Sequence, residues 1–174
     1  MDREERQQYF IEFKAKYEKE QVPLDFEEFE KYFYASNFFY SGNYIYVKEK
    51  FYETILQIVG NILKSNIQEM DFYLNMRPTN LITQTDTELF TNDKKLKNFY
   101  LDLSITYKKY NQLFLKHISN TKEATEILQK SYELIKEIHE YMHKKLEKSI
   151  ENLEKKKKEI AHDKKDNFQS AVFN

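Results

Sequence analysis

The sequence predicts an all-α fold: an elongated bundle of four or five helices with a projecting, coiled-coil-like C-terminal arm. Three observations carry that expectation. Two Gly and two Pro in 174 residues leave few tight turns, which argues against all-β and α/β architectures. Charged residues make up 33% of the chain and are rich in Lys and Glu, both good helix formers. Between Tyr44 and Met76, apolar residues recur at helical spacing along two adjacent lines. Tyr44, Phe51, Ile55, Ile58, Ile62, Tyr73 and Met76 form one line; Ile45, Tyr52, Leu56, Val59, Leu63, Ile67, Met70 and Leu74 form the other. A surface helix needs a single stripe, so a helix this apolar must be covered on two sides. Only the strip with Glu53, Gln57, Asn61, Lys64, Gln68, Asp71 and Asn75 is left for water.

The remaining elements follow in order. Asp2 can cap a first helix running to about Glu20, with Tyr9, Phe10, Phe13 and Tyr17 on its apolar edge. Pro23 breaks it, because proline disfavours helix in the residue before it. Asp25 and Glu28 have capping-box spacing and open a second helix to about Ser36, carrying Phe26, Phe29 and Phe33. Ser41, Gly42 and Asn43 turn the chain into the central helix, and Pro78 ends it. Residues 78–93 are rich in Thr, Asn and Asp and read as a long irregular strap with a helical turn from Asp86 to Phe90. Leu81, Ile82, Leu89 and Phe90 would pin it to the core. Asn92 or Asp93 caps the next helix, about 93–118, lined by Leu96, Phe99, Leu103, Tyr107, Tyr110 and Phe114. The short Ser119-Asn120-Thr121 connection makes the last helix, about 121–161, antiparallel to it.

That last helix changes character along its length. Its apolar face is broad from Ala124 to Tyr141 and thins to Leu146, Ile150, Leu153 and Ile160, the pattern of a two-helix seam. The expected division is therefore residues 1–145 as a helical bundle, 146–161 as a projecting end, and 162–174 as a frayed tail that keeps Phe168, Val172 and Phe173.

Composition restricts function. With no Cys there is no disulfide framework, thiolate metal site or thiol nucleophile, which fits a reducing compartment; the expected location is the cytoplasm. The charged start MDREERQQYF does not read as a cleaved leader, and no stretch offers the ~20 apolar residues of a membrane span. Net charge is −1, and only Arg3, Arg6 and Arg77 are arginine, the residue best suited to bidentate phosphate recognition. Nucleotide-binding loops and hydrolase nucleophile motifs are absent.

Three patterns are candidates for function. Tyr34, Phe38, Phe39 and Tyr40 lie in the densest aromatic segment. It suits a core corner or a protein-binding surface, and the basic residues that nucleic-acid stacking would need are missing between Lys31 and Lys48. Lys155, Lys156, Lys157 and Lys158 form a basic run. The glutamates on either side make it a solvated flank, with polyanion or membrane-surface binding as the alternative. His139, Glu140 and His143 spell H-E-x-x-H, in which two imidazoles share a helix face and could hold zinc with the Glu activating water. No third ligand lies within reach along that helix, so the pattern reads as two histidines on the rim of a charged helix, with a zinc hydrolase as a further alternative.

The expected function is thus non-enzymatic, with no cofactor and no small-molecule substrate: an interaction or assembly subunit. It would hold other protein chains, or a second copy of itself, through Tyr34, Phe38, Phe39 and Tyr40, through Leu146, Ile150 and Leu153, or both.

Overall fold

The computed structural model describes the backbone of residues 2–20, 22–41, 44–77, 79–115 and 121–172, and the side chains of these apart from 81–83, 115, 121 and 161–172. Among them the chain forms seven α-helices, one 3-10 turn and no strand. The all-α class holds. The count of four or five helices is corrected to seven, and no coiled-coil arm is found among the described residues.

Local chemistry explains where the helices start. Asp2 accepts the Glu5 amide at 2.8 Å and Glu5 accepts the Asp2 amide at 3.0 Å, a capping box that opens α1 (Arg3–Lys19). Asp25 accepts the Glu28 amide at 2.8 Å and opens α2 (Phe26–Phe33). Glu28 does not close the box; its carboxylate takes the Tyr132 hydroxyl at 2.5 Å and ties α2 to the last helix. Tyr34 then takes a left-handed conformation at φ 51°, which stops α2 short of Ser36, and a further helix, α3 (Ala35–Ser41), follows where none was expected.

The central helix is shorter than its pattern suggests. Residues 44–47 form no helix, Val47 is extended and Lys48–Lys50 form the 3-10 turn, so α4 spans Phe51–Leu74. Tyr46 is buried beside the exposed Ile45 and Val47, a period of two that the helical reading absorbed into its stripes. The expected strap is a helix, α5 (Leu81–Phe90). Asp93 caps α6 (Lys94–Leu115) by accepting the Lys95 and Leu96 amides at 2.9 and 3.1 Å. Finally, α7 runs from Thr121 to Val172, past the end near Ala161 that its pattern suggested. Gly42, Asn43, Pro78, His117, Ser119, Asn120 and Phe173 lie outside the described residues, as do the side chains of Leu81, Ile82, Phe168 and Val172.

The core is an α4–α6–α7 bundle, with α6 antiparallel to both partners. Leu56, Val59 and Leu63 of α4, Leu96 and Leu103 of α6, and Leu128 and Ile135 of α7 are fully buried in it. An aromatic layer from α1, α2, α3 and the start of α4 packs on one end. Phe13 lies at its centre, with six rings (Tyr17, Phe26, Phe29, Phe39, Tyr46 and Phe51) at centroid distances of 5.2–6.4 Å.

The segment expected to project is covered by α5. Asp86 accepts the Ser149 hydroxyl, Lys145 donates to the Leu89 carbonyl at 3.0 Å, and Lys156 reaches the Thr85 hydroxyl at 3.4 Å. The face of α7 turned inward there carries Met142 and Ser149, whereas Leu146 and Ile150 of the supposed seam stay exposed. Serine and lysine, both polar, hold α5 in place on that inward face. Asp93 completes this junction. Its carboxylate is 6% exposed, takes the Lys145 ammonium at 2.5 Å and accepts the Tyr141 hydroxyl at 2.5 Å.

Candidate partner-binding groove

The break at Tyr34 builds a concavity. Its amide donates to the Glu30 carbonyl at 2.9 Å and ends α2. The Glu30 carboxylate then accepts the Ser36 amide at 2.9 Å and the Ser36 hydroxyl, which starts α3 in a new direction. A positive φ is uncommon outside glycine, and Tyr34 is the one such residue among those described. The redirected α3 stands beside α4 and leaves a groove of about 640 Å³ between them.

Phe33, Tyr34, Asn37, Phe38 and Ser41 form one wall, Tyr44 the end, Gln57, Ile58, Asn61 and Ile62 of α4 the other wall, and Tyr110 of α6 the floor. Among the described residues no Asp, Glu, Lys, Arg or His lines it, in a chain one-third charged. The Tyr44 hydroxyl lies 2.9 Å from that of Thr54, which itself donates to the Lys50 carbonyl at 3.0 Å. Burial, and then the neighbouring Tyr107, push the Tyr110 phenol above its ordinary value. Among the described residues the groove therefore offers amides and hydroxyls over an aromatic floor and no carboxylate, ammonium or guanidinium. It can hold apolar and neutral polar groups by burial and hydrogen bonding.

Tyr110 also fixes how closely α4 and α6 approach. A Cβ on Gly60 would lie 2.3 Å from Tyr110 Cζ, so the bare glycine face is what lets the ring in.

The structure divides the four aromatics read as one surface. Tyr34 and Phe38 line the groove. Phe39 is 1% exposed and belongs to the aromatic layer. Tyr40 faces the other flank of α3, where its ring meets Phe10 at 5.6 Å and its carbonyl accepts Arg6 Nη1 at 2.8 Å. There Arg3, Arg6, Gln7 and Tyr40 line a second groove of about 570 Å³. Asn37, Gln57, Asn61 and Tyr110 escaped the sequence reading. Gln57 and Asn61 read as the watered strip of α4, and Tyr110 as ordinary core, because nothing local reports that α3 stands beside them.

The other candidates are scattered. Leu146 and Ile150 are exposed and Leu153 is half-buried, on a helix already packed by α5. Lys155, Lys157 and Lys158 point to solvent, while Lys156 turns back to Thr85. His139 rests against the Tyr32 ring at 5.7 Å, and His143 Nδ1 lies 3.4 Å from Glu147. No group of three or more His, Asp or Glu that could hold a metal occurs among the described residues. None of their helices is long and apolar enough to cross a membrane.

No protein-family model matches the chain, and neither a curated protein nor a solved structure matches it.

Proposed function

We propose that this helical bundle is a non-enzymatic interaction module that docks another protein chain in the groove between α3 and α4. The observation that carries the reading is the composition of the lining. Charge depletion with aromatic enrichment marks the buried centre of protein interfaces. An uncharged lining is an unlikely accident on so charged a chain. The strained backbone at Tyr34 adds support, since residues held in sparsely populated conformations cluster at binding sites. The occupant that fits is a short segment of a partner presenting one or two apolar or aromatic side chains with neutral neighbours.

A photo-reactive residue at Asn37, on the groove wall, tests this against the same residue at Glu126, which is exposed on α7. The expected result is one partner protein cross-linked at Asn37 and not at Glu126, and lost when Asn61→Arg lays a long cation across the groove. Equal labelling at both positions, or none above background, overturns the reading. A product made of two copies of this chain would assign the groove to self-association instead.

A further inference from the structure

We infer that the groove between α3 and α4 takes its partner as an extended segment, held by its main chain on the side-chain amides of Gln57, Asn61 and Asn37. This rests on the docking reading above and names the form in which the partner binds. Among the described residues these three amides line the groove and make no hydrogen bond within the chain. Asn66 and Asn75, further along α4, instead donate to the helix's own Ile62 and Asp71 carbonyls at 2.9 and 3.0 Å. A side-chain amide carries a donor and an acceptor and no charge, so it can pair with either half of a peptide group.

The spacing selects the extended form. Gln57 and Asn61 stand one above the other on α4, about 6 Å apart along its axis. An extended chain repeats every two residues, about 6.4–6.8 Å, and turns the N–H and C=O of residues i and i+2 to one edge. Residue i+1 turns its own pair to the opposite edge, where Asn37 stands on α3. Ile58 and Ile62 repeat at the same interval beside the amides, and Tyr110 closes the floor. Residues i and i+2 therefore send their side chains together onto these apolar groups, and residue i+1 faces solvent.

A helical segment does not meet this wall. Its main-chain groups are bonded to one another and cannot pair with the amides, which its arrival would strip of water and leave unpaired. A charged segment is no better served, because no carboxylate, ammonium or guanidinium lines the groove among the described residues. A neutral main chain in extended form answers the amides and the apolar floor together.

The test selects random dodecapeptides displayed on phage against the full chain, then replaces each main-chain amide of a synthetic winner by an ester in turn. An ester keeps the side chain and lacks the N–H donor. Esters at the gripped residues should weaken binding about three- to tenfold each, as loss of one hydrogen bond does. Gln57→Leu should abolish the cost of one ester, and Asn61→Leu that of the ester two residues away. The ester scan leaves the protein unchanged, so a folding defect cannot mimic it. Esters without effect, esters whose cost neither variant removes, or a pair three or four residues apart overturn the inference. The docking reading then still stands if Asn61→Arg abolishes binding. Winners indifferent to Asn61→Arg overturn the docking reading and the inference with it, and a selection that yields none overturns both.

Discussion

Gly60→Ala should destabilise the protein although it improves the helix. Alanine in place of an interior helical glycine gains about 1 kcal/mol in the absence of other effects. At this position the new Cβ would lie 2.3 Å from Tyr110 Cζ and 2.6 Å from both Cε1 and the hydroxyl oxygen. Carbon atoms rest about 3.5–4.0 Å apart, so the ring tip must retreat by at least about 1.2 Å. It is 8% exposed, and its open side is the groove, so it must tilt that way. Overpacking of this kind costs about 1–3 kcal/mol, which outweighs the gain in helix propensity or cancels it.

A double-mutant cycle separates the two contributions. Tyr110→Leu removes the ring tip while keeping an apolar side chain, and in that background Gly60→Ala should stabilise by about 1 kcal/mol. The coupling between the positions is then about 1–3 kcal/mol, measured by urea denaturation followed by circular dichroism. In a chain of this length 1 kcal/mol corresponds to about 2–4 °C in Tm. If Gly60→Ala stabilised the wild type and the Tyr110→Leu variant by the same amount, the helices would not be held together by this contact. The proposed retreat also narrows the groove, so Gly60→Ala should weaken any groove ligand while Tyr110→Leu widens the floor.

Asp93→Ala should cost about 2–4 kcal/mol, from a lost helix cap and a stranded Lys145 and Tyr141, measured by chemical denaturation. Burial alone would raise the Asp93 carboxyl; hydrogen bonds from Lys145, Tyr141 and the Leu96 amide outweigh it and hold the group below its ordinary 3.8. The stability it supplies is thus whole above that value and lost as pH falls through the lower folded one, so the gap between wild type and Asp93→Asn should narrow below about pH 4; a gap constant to pH 2 would contradict the assignment. Ser149→Leu should release α5 from α7, read as faster amide exchange in Leu81–Phe90 with little change in α4; equal exchange in both variants would deny Ser149 that role. Tyr34→Gly should stabilise by about 1 kcal/mol, because the side chain is 43% exposed and the backbone is left-handed, yet weaken groove binding. A Tyr34→Gly protein that is less stable than wild type would place the tyrosine's worth in packing.

What could be read from sequence was whatever local chemistry decides. Asp2, Asp25 and Asp93 cap helices as expected, since each satisfies a backbone amide within three residues of itself. The α2–α3 break was hidden, because nothing about Tyr34 marks it as left-handed. Glu30 enforces the turn by gripping Ser36, and it looks like one more surface glutamate. The helix α5 was hidden for a related reason. Its Thr and Asp residues favour caps and turns when alone, and become helical once Thr85 and Asp86 have partners on α7. The groove was legible only in its aromatics. Its polar wall consists of Gln57 and Asn61, which face water by periodicity and face α3 in space.

Two departures from local preference meet around α3. Tyr34 holds a conformation that costs a non-glycine residue about 1–2 kcal/mol. Gly60 weakens the middle of α4 by about 1 kcal/mol in order to seat the Tyr110 floor. Together these come to about 2–3 kcal/mol, a large share of the 5–15 kcal/mol that holds a domain folded. Natural sequences are mostly self-consistent, and departures persist where function requires them. The aromatic layer around Phe13 can carry such a load, since it buries Phe13, Phe29 and Phe39 almost completely and each large side chain so buried contributes about 1.5–3 kcal/mol. The docking proposed for the groove would account for both departures, since Tyr34 turns α3 alongside α4 and Gly60 seats the Tyr110 ring that lines the space between them.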